Sequence, residues 1–217
     1  MTKRPDAHYG QSFGLGFYEY FLLCELLDAK PLPVLNIGTA CQFRSTEMVD
    51  SDNPKFEEYV QDALDLIEFA NGPVDSTWGA LRARMGHPES FHMDFLSVGN
   101  GTVGGHRYLD MKHRYERFAQ AIHAKYPEIR LLGTAGPFME CSITEDAWKF
   151  YREKAKENPD FSYAVDEHYM SVHSGYMTMW QCMMSIRGMW QYLPESTPHI
   201  PKTGQTPWRV RWRKQHF

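Results

Sequence analysis

Apolar residues follow two alternating patterns along residues 14–168 of this chain. Segments with an apolar residue every three to four positions predict amphipathic helices, and short, densely apolar segments bounded by turn residues predict buried strands. Helices and strands alternate strictly. The helices are predicted at residues 14–29, 55–70, 107–125 and 144–158, and the strands at residues 33–38, 95–100, 128–134 and 161–168, with a long loop carrying Trp78 before the second strand.

The helix predicted at residues 55–70 has the clearest pattern. Its apolar residues keep the spacing of one helix face, and Asn71-Gly72-Pro73 ends it. Thr144 is expected to cap the fourth helix. The residues expected to be buried are Phe17, Tyr20, Phe21, Cys24 and Leu27 in the first helix, Phe56, Tyr59, Val60, Ala63, Leu64 and Ile67 in the second, and Tyr108, Tyr115, Phe118, Ala119 and Ile122 in the third.

The order of the elements predicts the fold class. An αβαβαβαβ order is typical of a parallel sheet covered by helices, so we predict an α/β protein. Four strands are half the number in an eight-stranded (β/α)8, or TIM, barrel. Asn100 ends a predicted strand, where such barrels place their chemistry, but Gly101 follows it where a carboxylate is expected.

The chain divides into two parts of different composition. Residues 1–169 hold 17 Lys and Arg against 26 Asp and Glu, whereas residues 170–217 hold 6 against 1. The second part also contains 4 of the 6 tryptophans and 6 of the 12 methionines, and no helical or strand period runs through it. Disordered tails are usually poor in tryptophan, so the composition of residues 170–217 does not match that of a disordered tail. We predict a partial barrel domain at residues 1–169 and an irregular tail at residues 170–217.

Composition excludes several classes of function. A net charge of −4 and a pI near 6.2 argue against a nucleic-acid partner. No apolar run reaches the ~18 residues of a membrane span, and residues 1–8 lack a signal peptide's apolar core, so we expect no membrane partner and a cytoplasmic chain as written. The four cysteines show no CxxC pairing, which favours reduced thiols. The histidines lack a ligand spacing, so neither a metal nor a cofactor is expected.

Several blocks of the sequence resemble the family 51 α-L-arabinofuranosidases, which are retaining glycoside hydrolases built on a (β/α)8 barrel. The most characteristic block is EYVQDALDLIEFANGP at residues 58–73. Further blocks are LGFYEYFLLCE at residues 15–25, PVLNIG at 33–38, GHPE at 86–89, VGN at 98–100 and DEHY at 166–169. The resemblance covers roughly residues 10–169. It implies that the chain is an internal fragment with barrel strands three to six and their helices.

The resemblance also implies where the catalytic residues would stand. The family's motif after its fourth strand is Gly-Asn-Glu, and that Glu is the general acid/base. Gly99 and Asn100 match the motif, whereas Gly101 occupies the position of the acid/base. The family's nucleophile is a Glu in a Gly-Glu-Tyr-Ala motif that this chain does not contain. A retaining mechanism needs both carboxylates, about 5–5.5 Å apart, so we predict that the chain as written is inactive.

By the same resemblance, the substrate would be an arabinose-containing oligosaccharide or polysaccharide, and the parent enzyme would be a homo-oligomer. Asn100 would hydrogen-bond the sugar 2-hydroxyl, and Trp78 would form a stacking wall from a βα loop. Structural roles stay open as alternatives: a strand-end cap for Asn100, loop structure for Asn36 and Cys41, and loop packing for Trp78. The implied sugar-contacting residues are Asn36, Cys41, Trp78, Asn100, His168 and Tyr169.

The genetic code offers an explanation for the missing nucleophile motif. Suppose that one nucleotide is missing just after Tyr169. Each true codon then joins the third base of one written codon to the first two bases of the next. Because Met has a single codon, Met177-Thr178 must then encode Asp. Allowed bases elsewhere yield a strand, the Gly-Glu-Tyr-Ala motif over residues 195–198 and an Ala/Glu-rich helix.

The same kind of frame change explains Gly101. Removal of one base there allows the reading Asn-Glu-Gln-Trp-Gly, which restores the acid/base Glu. A compensating change near Arg107 would return the frame before Tyr108. The competing explanation is true substitution in a decayed copy of the gene.

Two other functions stay open. The chain could be a non-catalytic sugar-binding pseudoenzyme that keeps the polar residues of the pocket, or a remnant of a gene with no function. It could also derive from another barrel glycosidase, such as a xylosidase or an endoglucanase, although the block at residues 58–73 argues against this.

Overall fold

The computed structural model of the chain describes residues 12, 14–40, 47–100, 107–135 and 141–167, and of residues 107–110, 141–143 and 167 it describes the backbone alone. Helices and strands alternate along the chain, except that two helices follow each other between the first and the second strand. In chain order the elements are α1 (Phe17–Leu26), β1 (Val34–Leu35), α2 (Pro54–Asn71), α3 (Thr77–Arg84), β2 (Phe95–Val98), α4 (Arg107–Lys125), β3 (Arg130–Ala135), α5 (Cys141–Glu157) and β4 (Ala164–Glu167).

The four strands form one parallel sheet in the order β1-β2-β3-β4. Val34 pairs with Ser97, and Leu132 pairs with Ala164. Each strand therefore lies beside the next one in sequence, with a helical crossover between them, which is the arrangement of a (β/α)8 barrel. The α/β class and the partial barrel predicted from the sequence are confirmed. The predicted boundary between residues 169 and 170 lies outside the described residues.

Helix α2 shows how local sequence and burial agree. The Asn53 side chain accepts a hydrogen bond from the Lys55 backbone N–H at 3.0 Å, and Pro54 occupies the first turn, where no N–H is required. The helix ends at Gly72, as predicted. Its buried side chains lie on one face and pack towards the sheet; they are Phe56, Val60, Ala63, Leu66, Ile67, Phe69 and Ala70.

The core lies between the sheet and the helices, and α4 is its centre. Phe118 is fully buried and meets Phe56 of α2 edge to face, with ring centroids 5.9 Å apart. Tyr115 meets Tyr151 of α5 in the same geometry at 5.2 Å. Burial raises the pKa of the Tyr115 hydroxyl well above its ordinary value. Four of the five predicted core residues of α4 are buried, and the side chain of Tyr108 is not among those described.

Three sequence predictions about the elements were wrong. Helix α1 is shorter than predicted, and Phe17 and Leu27 are exposed, whereas Phe21 and Cys24 are buried as expected. The long loop predicted before the second strand contains α3, whose Ser76 cap accepts from the Gly79 backbone N–H at 3.1 Å. Helix α5 starts at Cys141, before the predicted Thr144 cap. No helix among the described residues is long and apolar enough to cross a membrane.

Candidate functional site

The carboxyl ends of the four strands meet at one edge of the sheet, because all four strands are parallel. In barrels of this kind the chemistry is carried by this edge and by the loops that leave it. Asn36 directly follows β1, and Asn100 follows β2 by two residues. These two predicted sugar-binding residues therefore leave neighbouring strands on the side where a site is expected.

The Asn36 side chain organises the start of its own loop. Its Oδ1 accepts hydrogen bonds from the backbone N–H groups of Gly38, at 2.8 Å, and Thr39, at 3.0 Å. Gly38 has a φ of +80°, a left-handed conformation that a glycine adopts without strain. The oxygen of Asn36 is thus occupied by the turn, and its Nδ2 group provides the donors for any ligand.

Asn100 lies at the same edge of the sheet, two residues beyond β2. Gly99, at a φ of +82°, turns the chain out of β2, and its backbone N–H donates to the Leu35 carbonyl at 3.1 Å. The side chain of Asn100 is exposed. An amide in this position can both donate to and accept from a sugar hydroxyl. Gly101, at the predicted acid/base position, lies outside the described residues.

Alternate residues of the strands face the helices and the barrel interior. Val165 packs in the core with the helices, so its neighbour Asp166 faces the barrel interior, where it lies in register with Thr134. The expectation that Asp166 and Glu167 point to opposite faces of the sheet stays a prediction, because the side chain of Glu167 lies outside the described part of the chain.

Arg114 is a residue of this edge that the sequence analysis missed. It is fully buried in α4 and donates to the carbonyl oxygens of Ile37, at 2.8 Å, and Val49. Its guanidinium carbon lies 4.9 Å from the centre of the Phe56 ring. Both carbonyls belong to the segment after β1, so Arg114 holds the loop that begins at Asn36. The available signal was an arginine inside the apolar stripe of α4, four residues before Phe118.

A small apolar cavity lies near the same edge, between the sheet and helices α4 and α5. Val98, Phe150 and Tyr151 contribute to its walls. Its charged residue, Lys112, pairs with Asp146 at 2.9 Å. This cavity is on the helix side of the sheet, opposite to Asp166, and its apolar lining does not suit a sugar.

The predicted position of Trp78 was wrong. Trp78 lies in α3, within the connection from α2 to β2, and not in a βα loop. Its backbone N–H donates to Glu68 at 3.0 Å, a bond that lowers the pKa of that carboxyl, and its side chain packs against the core. Asn71, which ends α2, donates to the Met93 carbonyl just before β2 at 2.8 Å. Trp78 is therefore at the starting edge of the strands, opposite to Asn36 and Asn100, and this position argues against sugar stacking.

The remaining predicted site residues, Cys41, His168 and Tyr169, lie outside the described residues. Within the described part of the chain, no group of three His, Cys, Asp or Glu side chains could hold a metal ion. Of the predicted site residues that the structure describes, Asn36 and Asn100 thus lie at the carboxyl edge of the sheet, and Arg114 contacts the segment that follows Asn36.

Comparison with known proteins decides the family. The profile of the "Alpha-L-arabinofuranosidase 1 domain" matches residues 2–184. The chain belongs to glycoside hydrolase family 51, the α-L-arabinofuranosidases. It is 43% identical over 162 residues to an extracellular exo-α-L-arabinofuranosidase of Streptomyces chartreusis, a match that covers 74% of this chain and 18% of the relative. It is 38% identical over 136 residues to α-L-arabinofuranosidase 2 of Arabidopsis thaliana, which covers 60% of this chain and 19% of that protein.

Solved structures of the arabinofuranosidase family have the same fold. The arabinose-bound MgGH51 α-L-arabinofuranosidase is 30% identical with a TM-score of 0.51, over 61% of this chain and 20% of that one. A family 51 enzyme from Bifidobacterium longum has a TM-score of 0.57 at 17% identity, over 76% of this chain and 28% of that one. The family resemblance predicted from the sequence is confirmed. The chain spans about a fifth of the length of the Streptomyces and Arabidopsis relatives.

Proposed function

We propose that the gene derives from a retaining α-L-arabinofuranosidase that removes terminal, non-reducing α-L-arabinofuranosyl units from arabinoxylan, arabinan or their oligosaccharides. We further propose that the 217-residue chain as written is catalytically inactive. The observation that carries both statements is the sequence Gly99-Asn100-Gly101 at the carboxyl end of β2. The strand, the turn and the asparagine of the family's motif are present, and its glutamate is not.

The chemistry explains why this one position matters. Retaining hydrolysis needs one carboxylic acid that protonates the leaving oxygen and one carboxylate that attacks the anomeric carbon. The turn at Gly99 and the exposure of Asn100 support a site at the carboxyl end of β2, and residue 101 occupies the sequence position of the family's acid/base. A glycine has no proton to give and no oxygen to attack with. Asn100 can still hydrogen-bond the sugar 2-hydroxyl, so binding and chemistry are separable here.

We attribute both missing glutamates to changes of reading frame. The first test is to resequence the DNA across the codons for residues 100–108 and 169–171. We expect an error of one base in each window, after which the product regains both motifs and the assignment applies with its full mechanism. If the written frame stands, the frame proposal is wrong, and the gene is a decayed copy whose family describes only its ancestry.

Activity is tested on the written chain itself. The purified protein is incubated with p-nitrophenyl α-L-arabinofuranoside and with arabinan oligosaccharides, and released nitrophenol and arabinose are measured against buffer. We expect no release above the buffer rate. Release that scales with protein concentration, and that survives a second purification step, would show that the chain is active and overturn the proposed loss of function.

A second candidate is a non-catalytic arabinose-binding protein. The exposed Asn100 favours it, as do the Nδ2 donors of Asn36, which have no hydrogen-bond partner among the described residues. Both amides lie at the carboxyl edge of the sheet, and neither depends on residue 101. This function predicts that arabinose raises the midpoint of a cooperative thermal transition and that Asn100→Ala removes the shift. Equal shifts with arabinose and with glucose would indicate a solvent effect and would exclude specific binding.

A further inference from the structure

His87 lies where α1 packs on the segment between α3 and β2, and both of its ring nitrogens have a hydrogen-bond partner. Its Nε2 lies 2.9 Å from a carboxylate oxygen of Glu25, in the last turn of α1. Its Nδ1 lies 2.9 Å from the backbone carbonyl oxygen of Glu89. The side chain of His87 is 16% exposed, and its ring stacks on the ring of Phe91 with centroids 4.1 Å apart. These contacts fix the orientation of the ring.

Both partners of the His87 ring are hydrogen-bond acceptors. A backbone carbonyl cannot donate a hydrogen bond, and neither can an ionised carboxylate. A neutral imidazole carries one N–H group, whereas the imidazolium carries two. The imidazolium is therefore the form that makes both hydrogen bonds. In either neutral tautomer a nitrogen lone pair would face an oxygen of Glu25 or of Glu89.

The charges around the ring also favour the imidazolium. Glu25 faces it from α1, and no basic residue of α1 itself lies in the last turn of that helix. A cation is stabilising at the C-terminus of a helix, and His87 supplies one from a neighbouring segment. The opposing charge belongs to Arg82 of α3, whose Nε donates to the His87 carbonyl at 3.1 Å. Its guanidinium also donates to three further backbone carbonyls, and the carboxylate of Glu89 acts on its charge.

We propose that His87 is a pH-sensitive switch whose imidazolium holds the C-terminal turn of α1 on the segment before β2 and whose neutral form releases that turn. An ordinary imidazole changes its charge between about pH 5 and 8. The packing of this turn is therefore tightest in mild acid and weakens as the pH rises.

The effect is confined to one end of α1. At the other end the Tyr18 hydroxyl donates to the Met85 carbonyl at 2.8 Å, a bond that involves no charged group. The segment before β2 lies at the starting edge of the strands, opposite to Asn36 and Asn100. The switch thus acts on the packing of α1, and the inference does not depend on the proposed function.

The test is hydrogen exchange of the 217-residue chain at pH 6 and at pH 8. Protection factors, which correct for the intrinsic exchange rate at each pH, are measured for the peptide at residues 21–29 and for a peptide within α2. Their ratio removes any change in global stability. We expect the ratio of the α1 peptide to the α2 peptide to fall by about threefold to tenfold from pH 6 to pH 8, because a hydrogen bond to a charged group is lost.

Two variants separate protonation from packing. Glu25→Gln replaces the carboxylate by an amide, which can donate to an unprotonated Nε2, so the ratio should be nearly equal at the two pH values. His87→Gln removes the titrating ring and should also abolish the pH dependence. His113→Gln is the matched control, since His113 is an exposed histidine of α4, and this variant should keep the decrease of the parent chain.

Equal ratios at pH 6 and pH 8 in the parent chain would overturn the proposal. A decrease in Glu25→Gln or in His87→Gln as large as that of the parent would overturn it as well, because another group would then control the packing of α1.

Discussion

Arg114 of α4 donates a hydrogen bond of 2.8 Å to the carbonyl oxygen of Ile37, the residue that follows Asn36. Its second contact, to the Val49 carbonyl, reaches the other end of the same loop. A buried charge is tolerated when its hydrogen-bond donors are satisfied. The two carbonyls that accept from Arg114 belong to the same loop. The segment that begins at Asn36 therefore depends on a side chain from the helix behind it.

The first prediction is that Arg114→Met strongly destabilises the fold. Two carbonyls that Arg114 now satisfies would lose a donor, and an unsatisfied buried group costs about 1–3 kcal/mol. We expect the free energy of unfolding to fall by about 2–5 kcal/mol, as measured by urea denaturation. Arg117→Met is the matched control in the same helix. Arg117 pairs with Glu57 at an exposed position, where such a pair is worth about 0–1 kcal/mol. Equal losses in the two variants would contradict the role of Arg114.

The second prediction concerns Gly133 in β3. A Cβ at this position would lie 2.3 Å from the ring and hydroxyl of Tyr151, which packs across the strand. The Tyr151 hydroxyl also accepts from the Thr134 backbone N–H at 3.1 Å, so the ring cannot move without losing this bond. We expect Gly133→Ala to lower the free energy of unfolding by about 1–3 kcal/mol or more through overpacking.

A double-mutant cycle checks that cause. Tyr151→Ala removes the ring that the new methyl group would strike, so Gly133→Ala should cost less in that background than in the parent chain. A coupling on the order of 0.5–3 kcal/mol is expected for residues in contact. Simple additivity of the two changes would show that Gly133 is required for a reason other than the approach of Tyr151.

The sequence predicted the elements whose pattern reflects burial on one side. Helices α2 and α4 pack a single apolar stripe on the sheet, so their 3.6-residue period is clear, and the alternation of helix and strand then determines a parallel sheet. Helix α1 could not be predicted to the same accuracy, because Leu22, Leu23 and Leu26 are exposed on the side away from the buried Phe21 and Cys24. With apolar residues on both of these sides, the period does not say which residues face the core, and Phe17 and Leu27 were assigned to it wrongly.

Helix α3 shows a different limit. Its eight residues have no apolar period, and it is held by the Ser76 cap and by Arg82, which is buried among backbone carbonyls. Arg82 donates to the carbonyls of Phe69, at 2.7 Å, and Gly72, at 2.8 Å. Such contacts between a side chain and a distant backbone leave no mark in a local pattern. For this reason Trp78 was assigned to a loop at the wrong edge of the sheet. Asn36 and Asn100 follow β1 and β2 within two residues, and the carboxyl edge predicted for them is confirmed.

The third prediction is a loss of stability in acid that depends on His123. Burial lowers the pKa of His123 in the folded chain, although the carboxylate of Asp160 acts in the opposite direction. The unfolded chain, with an ordinary histidine pKa near ~6.5, therefore binds the proton more readily. The contribution of His123 to stability is complete above that pKa and is lost as the pH falls through it towards the folded value.

Urea denaturation at pH 8 and at pH 5.5 measures this effect. In His123→Gln the decrease between the two pH values should be smaller than in the parent chain. His113→Gln is the control, because His113 lies on the same helix with a side chain that is 76% exposed. In this variant the decrease in the free energy of unfolding between the two pH values should match that of the parent chain. If His123→Gln and the parent lose stability equally, the burial of His123 does not account for any part of the acid sensitivity.

The last prediction is that restoring one of the two missing glutamates does not restore activity. Gly101→Glu restores the family's Gly-Asn-Glu motif, yet we expect this variant to release no p-nitrophenol from p-nitrophenyl α-L-arabinofuranoside. The reason is that retaining hydrolysis also needs a nucleophilic carboxylate about 5–5.5 Å away, and the Gly-Glu-Tyr-Ala motif is absent from this chain. Asp166, in the segment Asp166-Glu167-His168-Tyr169, does not belong to such a motif. A family 51 arabinofuranosidase that carries both glutamates serves as the positive control of the assay. Turnover by the Gly101→Glu chain would mean that another carboxylate already present acts as the nucleophile, and the proposed need for the second frame correction would be wrong.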